Sequence, residues 1–169
     1  MKRLLSLIAI SVPLLTASCG YKLGGLVSGD MKDMKTFDVT MFENYTNYPH
    51  VAMQMTTALA DALQSDGTFR MVAPSQSDFS VSGKVTSVSA SSLTTNPDDT
   101  YLSLEIGLTV HVDYSITDRK SGKVIKTGSV TGRGSYFNTP GNVQSARDAA
   151  LSYATRLAAE ELVDALTLP

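Results

Sequence analysis

The chain has 169 residues, of which 43% are hydrophobic and 18% are charged, and its formal net charge is −2. A chain of this length can form one domain with a substantial hydrophobic core. The slight excess of acidic side chains argues against nucleic-acid binding, which needs clustered Lys and Arg residues. Because the sequence contains a single cysteine, a disulfide within the chain is excluded.

The N-terminal residues have the composition of a secretory signal. Two basic residues precede the apolar run 4–15, and the small residues Ala17 and Ser18 follow it, an order typical of signal peptides. The run is interrupted by Pro13 and is shorter than the roughly 20 residues that a membrane-spanning helix needs. We therefore predict that residues 1–18 form an export signal.

Cys19 follows the small residues directly, and Ala17-Ser18-Cys19 resembles the bacterial lipobox, although Thr16 stands where Leu is most common. The resemblance implies that Cys19 receives a diacylglycerol group on its sulfur, becomes the first residue of the mature chain and is then N-acylated. We expect no other cofactor. Two or more acyl chains hold a protein stably on a membrane. The alternative is an ordinary signal peptide followed by a chance cysteine.

The residue after the cysteine is Gly20, not the Asp that retains many lipoproteins in the inner membrane. By this resemblance, the destination is the periplasmic face of the outer membrane of a Gram-negative bacterium. Residues 19–35 contain several Gly and Lys residues and show little hydrophobic periodicity, so we interpret them as the lipidated N-terminus and a tether. A single folded domain is then expected over 36–169.

The folded part begins with a predicted strand and helix. Apolar and polar residues alternate from Thr36 to Met41, which predicts a strand with one buried face. The loop 42–49 ends in residues that commonly start helices. Apolar residues then recur at three- and four-residue spacing, which predicts a first helix over roughly 49–65, ended by Gly67.

The middle of the chain is predicted to form strands. Short strands are predicted over 69–72 and 79–88, followed by a turn over 93–100. From 102 to 116 every even-numbered residue is apolar, which predicts a long strand with one buried and one polar face. We expect both helices to cover the even-numbered face.

The last third supplies a returning strand and a second helix. A polar turn over 118–122 joins the long strand to another over 123–137, and the short connection favours antiparallel pairing. A loop over 138–142 leads into an Ala-rich helix predicted over 143–166. The residues expected on the buried face of this helix are Ala150, Tyr153, Ala154, Leu157, Ala158, Leu162 and Leu166.

The order of these elements predicts an α+β fold. Two helices pack on one face of a mostly antiparallel four-stranded sheet, in the order β-α-β-β-β-α and with room for one further short strand. This arrangement gives each amphipathic helix a sheet face against which to bury its apolar side.

Neither catalysis nor metal binding is indicated by the sequence. His50 lies at the start of the first helix and His111 on the polar face of the long strand, without a nearby Cys or second His. A metal site needs three or four converging ligands. Gly132-Arg133-Gly134 lacks the Lys-Ser/Thr of a phosphate-binding loop, so its glycines indicate a bulge or a close approach of another element. Without a convincing nucleophile and base pair, we expect a protein that is not an enzyme.

Two segments resemble the LPS-assembly lipoprotein family LptE: "CGYKLGG", from Cys19, and "FDVTMFENYTNYPHVAMQMTTALADALQSDGTFRMV", which joins the first strand, a Phe-x-Asn-x-Thr loop and the first helix. "SDFSVSGKV", the hairpin and the Ala-rich helix fit the family's layout of two helices on a four-stranded sheet. The resemblance implies a subunit that lies inside the large outer-membrane barrel LptD, assists the assembly of that barrel and binds lipopolysaccharide during transport.

The Phe-x-Asn-x-Thr element and the helix after it also resemble other exported lipoproteins. Some of these activate peptidoglycan synthases, and others build curli-type secretion pores. The alternative functions are therefore regulation of cell-wall synthesis and formation of a pore from copies of the chain. Identification of the protein that copurifies with this chain would distinguish these functions.

Five basic residues concentrate around the turn after the long strand and along the outgoing strand: Arg119, Lys120, Lys123, Lys126 and Arg133. One hypothesis is that they bind the phosphates of lipid A, or acidic loops of the barrel, through charge-assisted hydrogen bonds. The alternative is that Arg119 and Lys120 are solvated turn charges and that Lys126 protects a sheet edge.

Overall fold

The structure, a computed structural model, describes residues 31–96, 99–139 and 141–167. The predicted signal 1–18, Cys19 and most of the predicted tether lie outside the described residues. The helices are α1, Val51–Asp66, and α2, Val143–Thr167. The strands are β1, Thr36–Val39; β2, Glu43–Asn44; β3, Arg70–Met71; β4, Phe79–Asn96; β5, Asp99–Asp118; and β6, Val124–Phe137.

The strands form one mixed sheet in the order β3-β1-β4-β5-β6, and β2 pairs separately with β4. The long strands β4, β5 and β6 are antiparallel neighbours, whereas β1 runs parallel to both β3 and β4. The predicted α+β fold is confirmed. Strand β3 lies within the short strand predicted over 69–72, whereas β2 was not predicted because its two residues are too few to produce a sequence pattern.

Strand β4 is much longer than predicted. The expected short strand ended at Val88 and a turn was expected from Leu93, but β4 continues to Asn96 and stays paired with β5. Its far half consists mainly of exposed Ser and Thr residues. This part is held by backbone hydrogen bonds without burying an apolar face, so it lacks the alternation that identifies a strand.

The predicted helices agree closely with the structure. Helix α1 ends at Gly67, whose φ of 76° is a left-handed conformation that glycine adopts without strain. Helix α2 buries six of the seven residues expected on its inner face wholly or partly. Tyr153 is the exception, being 49% exposed, and its ring lies against Arg156 instead.

The even-numbered face of β5 is buried as predicted over most of its length, from Leu108 to Ile116. Leu104 is 39% exposed because the strand there extends beyond the helices. The two helices also divide the sheet between them. Helix α2 packs on β5 and β6, while α1 packs on strands β1 to β4 and against α2. The expectation that both helices cover β5 is therefore corrected.

Helix α2 approaches β6 closely at two glycines. A Cβ atom placed on Gly132 would lie 1.7 Å from the carbonyl oxygen of Ala154, and one on Gly134 would lie 2.5 Å from that of Ala150. The predicted close approach is thus the correct interpretation of these glycines. Any side chain at Gly132 would push the helix away from the sheet.

The described chain begins inside the packed body. Met31 is buried in the core, although it belongs to the segment predicted as a tether. In β1, Phe37 is buried as predicted, but Met41, beyond the end of the strand, is 65% exposed and Asp38 is buried. The expected alternation across Thr36 to Met41 therefore holds only in part.

Strand β6 forms one edge of the sheet, and side chains of α2 and β6 join the two elements there. The backbone N–H of Thr131 donates a hydrogen bond of 2.9 Å to Oε2 of Glu161. The ammonium of Lys126 donates to the backbone carbonyl of Ala165, near the end of α2. Cations are favoured at a helix C-terminus by the helix dipole. Within the described ranges, neither helix is long and apolar enough to span a membrane.

Candidate interaction surfaces

Arg119, the first residue of the predicted basic cluster, is held by a carboxylate on β1, which is separated from β5 by β4 alone. Its Nε and Nη2 atoms donate hydrogen bonds of 3.0 and 2.7 Å to the two carboxylate oxygens of Asp38. Ser77 and Ser80 donate to the same carboxylate at 2.6 and 3.0 Å. Asp38 is buried, and the bidentate ion pair fixes the end of β5 to β1.

The electrostatics of this cluster favour the ionised carboxylate. Burial of Asp38 acts to raise its pKa, but the hydrogen bonds from Arg119, Ser77 and Ser80 outweigh burial and hold the pKa below its ordinary value. The same pairing raises the pKa of Arg119. Arg119 therefore has a structural partner and is not a free cation for a ligand.

Lys120 makes an ion pair of 3.1 Å with Asp78, but its side chain remains largely exposed. The other oxygen of Asp78 accepts hydrogen bonds from the backbone N–H groups of Lys35 and Thr36, each at 3.1 Å. These bonds, together with those from the side chains of Thr36 and Lys120, hold the pKa of Asp78 well below its usual range. Asp78 thus joins the basic turn to the beginning of β1.

The five predicted basic residues do not form one patch. Lys126 points toward the helices, where it bonds to a backbone carbonyl, so it neither protects the sheet edge nor faces a ligand. Lys123 and Arg133 are exposed and have no described partner. They are ten residues apart along an extended segment, which corresponds to about 33 Å. Only Lys120 and Lys123 remain together as exposed cations at the turn.

Sequence reasoning missed the acidic partners of the basic turn. Asp38 and Arg119 are 81 residues apart, and Asp78 and Lys120 are 42 apart. The alternation from Thr36 to Met41 places Asp38 on the polar face of β1, and this position alone does not indicate a partner. The pairing of β1 with β4, and of β4 with β5, is what brings these residues together.

The sheet face opposite the helices is open and is rich in hydroxyl groups. We call it the hydroxyl face. Register pairs across β4, β5 and β6 place its side chains in rows, and all of them are exposed or only partly buried. The members that define it are Ser82, Lys84, Ser87, Ser89, Thr109, His111, Asp113, Ser115, Thr127, Ser129, Thr131, Arg133 and Ser135.

The Phe-x-Asn-x-Thr loop packs on the helix-covered side of the sheet through Phe42, which is buried. The ring of Phe42 lies over Gly83, where a Cβ atom would come within 2.5 Å of it. The side chain of Asn44 accepts from the N–H and hydroxyl of Thr46 and donates to the carbonyl of Tyr48, which closes the loop before α1. This motif is therefore a structural element that joins β2 to the helix.

A groove of about 770 Å³ runs between the outer surfaces of the two helices, and we call it the interhelical groove. It is lined by residues of α1 from Met53 to Asp66 and by residues of α2 from Ser152 to Asp164. Its lining combines small and apolar side chains with several carboxylates. The sequence analysis did not identify it, because a groove depends on the packing of the two helices.

The two histidines lie on different elements. His50 directly precedes α1 and is exposed, whereas His111 lies on the hydroxyl face in β5. Over the part of the chain that the structure describes, His, Cys, Asp and Glu side chains form no group of three that could hold a metal ion.

Solved structures share this fold at low sequence identity. A lipoprotein of Caulobacter crescentus is 16% identical, with 75% of this chain and 88% of that chain covered and a TM-score of 0.51. The PelC dodecamer of Paraburkholderia phytofirmans is 19% identical, with coverages of 85% and 94% and a TM-score of 0.53. A protein of Xanthomonas campestris is 11% identical, with coverages of 77% and 81% and a TM-score of 0.56.

No curated protein sequence matches the chain. The model of the LptE lipopolysaccharide-assembly family matches residues 34–166. This match covers both helices, every strand and the loop between β2 and α1. The chain therefore belongs to the LptE lipopolysaccharide-assembly family.

Proposed function

We propose that the chain is an outer-membrane lipoprotein that lies inside the lumen of an LptD-type barrel, assists assembly of the barrel and binds lipopolysaccharide during its transport to the outer leaflet. The observation that carries this proposal is the family match over residues 34–166. The lipid attached to Cys19 anchors the domain on the periplasmic face of the outer membrane, since two or more acyl chains bind a membrane stably.

The hydroxyl face supports a position inside a barrel. The interior wall of a large outer-membrane barrel is polar and wet, so a protein within it needs a surface that forms hydrogen bonds. Rows of Ser and Thr hydroxyls on three adjacent strands meet this requirement, because each hydroxyl can donate and accept. Strand β5 has 20 residues and extends for about 60 Å, which is longer than the membrane is thick.

For lipopolysaccharide, the exposed cations at the turn are the best candidates for contact with the phosphates. Lys120 and Lys123 lie together there, and Arg133 lies separately on the hydroxyl face. Charge-assisted hydrogen bonds to phosphate are strong, and a flexible ammonium adapts to several geometries. Arg119 and Lys126 have no such role in this proposal, since Arg119 is fixed by the buried Asp38 and Lys126 points toward α2, whereas the Lys120 side chain stays largely exposed despite its ion pair.

Copurification from outer membranes tests the barrel partner. The tagged full chain is isolated from mild detergent, with a photo-cross-linking residue at Ser115 or Ser129 on the hydroxyl face. We expect cross-links to the barrel at both positions. Recovery of a peptidoglycan synthase, or of cross-links only between copies of this chain, would instead support the cell-wall regulator or the pore-forming oligomer and would contradict the proposal.

Binding of purified lipopolysaccharide tests the cationic turn. The double variant Lys120→Ser/Lys123→Ser is compared with Lys84→Ser, a cation on the hydroxyl face that pairs weakly with Asp113 at 3.7 Å. We expect weaker binding of the double variant at low ionic strength, and a smaller difference as salt screens the wild-type charges. Equal binding by all three proteins, with unchanged melting temperatures, would exclude the turn as the phosphate site.

A further inference from the structure

The interhelical groove combines an apolar floor with an acidic rim. Met53, Ala58, Ala62 and Val163 contribute the apolar surface. The rim carries four carboxylates, those of Asp61, Asp66, Glu160 and Asp164. The groove lies on the opposite side of the molecule from the hydroxyl face, so it is separate from the surface used in the proposed barrel contact.

The acidic rim is largely uncompensated. Arg156 is the sole cation in the lining, and it already pairs with Glu160 and stacks on the ring of Tyr153. Neither Asp61 nor Asp164 pairs with any basic residue among those described, and both are exposed. Carboxylates on the rim of the groove repel one another and attract cations. A surface that binds in the groove is therefore expected to be positively charged.

The dimensions of the groove match one helical segment. From Met53 to Asp66 the wall of α1 extends about 20 Å, the length of about 13 helical residues. Several side chains of α1 that face the groove are small, among them Thr57, Ala58 and Ala62, so another helix backbone can approach closely at these positions. An amphipathic helix binds such a groove through apolar residues that recur at three- and four-residue spacing.

A polar group in the lining also lacks a partner. Oε1 of Gln54 is buried and accepts no hydrogen bond from any of the residues that the structure describes. Gln54 lines the groove, so a change of its side-chain rotamer would bring this acceptor to a donor on a bound helix. Satisfying a buried acceptor in this way favours the bound state.

We propose that the interhelical groove is a docking site for an amphipathic helical segment of another protein, whose apolar stripe is flanked by Lys or Arg residues. A second copy of this chain is a poor occupant. Helix α1 contains no basic residue, and α2 contains only Arg147 and Arg156, so neither described helix supplies the flanking cations. The partner helix is therefore expected from a different chain.

A synthetic Leu/Lys peptide of about 14 residues, with Leu at helical spacing, serves as the probe. Its binding to the full mature chain is measured by fluorescence anisotropy at low ionic strength. We expect saturable binding that weakens about tenfold or more in Asp61→Asn/Asp164→Asn. Thr57→Trp should abolish it, since the indole fills the groove. Thr57 is exposed, so this substitution leaves the core intact.

Two controls make the result specific. Glu105→Gln/Asp113→Asn removes the same charge from two odd-numbered positions of β5, which point away from the helices, and should leave binding unchanged. A peptide of identical composition, with its Leu and Lys residues permuted so that no face is apolar, should bind much more weakly.

The proposal is wrong if the peptide does not bind, if both neutralised variants weaken binding equally, or if both peptides bind equally. The proposal is also wrong if Thr57→Trp abolishes self-association of the chain, measured by sedimentation, but leaves binding of the peptide unchanged.

Discussion

Arg119 holds Asp38 through two hydrogen bonds, and this contact joins the end of β5 to β1 across β4. We expect Arg119→Ala to lower the free energy of unfolding by about 2–3 kcal/mol, because it leaves a buried carboxylate without its cation. This loss is smaller than the roughly 3–5 kcal/mol expected when a fully buried ion pair is broken, because the side chain of Arg119 is partly exposed to water. Urea unfolding measures the change, and Lys123→Ala, an exposed cation on the same turn, should alter stability by less than about 0.5 kcal/mol.

Acid should destabilise the domain through Asp38 and Asp78, whose pKa values are lowered in the folded chain. A carboxyl group with a lowered folded pKa contributes stability above its unfolded pKa of about 3.9 and loses it as the pH falls toward the folded value. We therefore expect their contribution to be constant above about pH 5 and to decline below about pH 4. Urea unfolding at a series of pH values should show a smaller acid loss for Asp78→Asn. An unchanged pH profile in this variant would contradict the assignment.

Gly132→Ala should destabilise the packing of α2 on β6. The added methyl group would overlap the carbonyl oxygen of Ala154, which belongs to a helix backbone that cannot move alone. Overpacking of this kind costs about 1–3 kcal/mol, and more where backbone must shift. Thermal unfolding should show the loss, whereas Ser129→Ala, on the same strand but on the hydroxyl face, should change stability little. A neutral effect at Gly132 would mean that the helix and strand are farther apart than described.

The two faces of β5 should differ in their sensitivity to mutation. Leu108→Ala removes a fully buried side chain and should cost about 2–5 kcal/mol. Thr109→Ala, on the hydroxyl face, should stay within about 0.5 kcal/mol of the wild type. Leu104→Ala should also be mild, because Leu104 is partly exposed at the far end of the strand. Chemical denaturation of the three variants compares them directly, and equal losses at Leu108 and Thr109 would contradict the described orientation.

Cys19→Ala should produce a protein that is exported but not held on the membrane. The expectation follows from the lipobox-like Ala17-Ser18-Cys19 and from the anchoring strength of two or more acyl chains. Fractionation of cells expressing the variant, followed by flotation of outer-membrane vesicles in high salt, measures the attachment. If the variant still floats with the vesicles, contacts of the folded domain are the main attachment.

The regular parts of this fold are readable from the sequence because burial imposes a period on them. The alternation in β5 predicts which side chains face the core from Leu108 to Ile116, and Gly67 marks the end of α1. The short strand predicted over 69–72 contains β3, whereas the far half of β4 and the two-residue strand β2 were not predicted. Their positions depend on backbone pairing with neighbours, and such pairing leaves no period in exposed residues such as Ser89.

The interaction surfaces were less accessible to sequence reasoning. The basic residues around the turn are visible in the sequence, but the sequence could not reveal that Asp38 binds Arg119 or that Asp78 pairs with the exposed Lys120. Nor could it show that Lys126 faces the helices. Each of these outcomes depends on which strands become neighbours, and that information is not local. The interhelical groove likewise exists only after α1 and α2 have packed.

The hydrogen bond from Thr131 to Glu161 has a consequence for the behaviour of the chain before it meets a partner. An unprotected edge strand of 14 residues is a template on which another extended chain can add by backbone pairing, which leads to aggregation. The carboxylate of Glu161 occupies a donor midway along this edge. An incoming strand would have to displace that charge and leave it without its hydrogen bond. Glu161 therefore disfavours the pairing of another strand at this point of the edge, while the side chains of β6 on the hydroxyl face stay accessible.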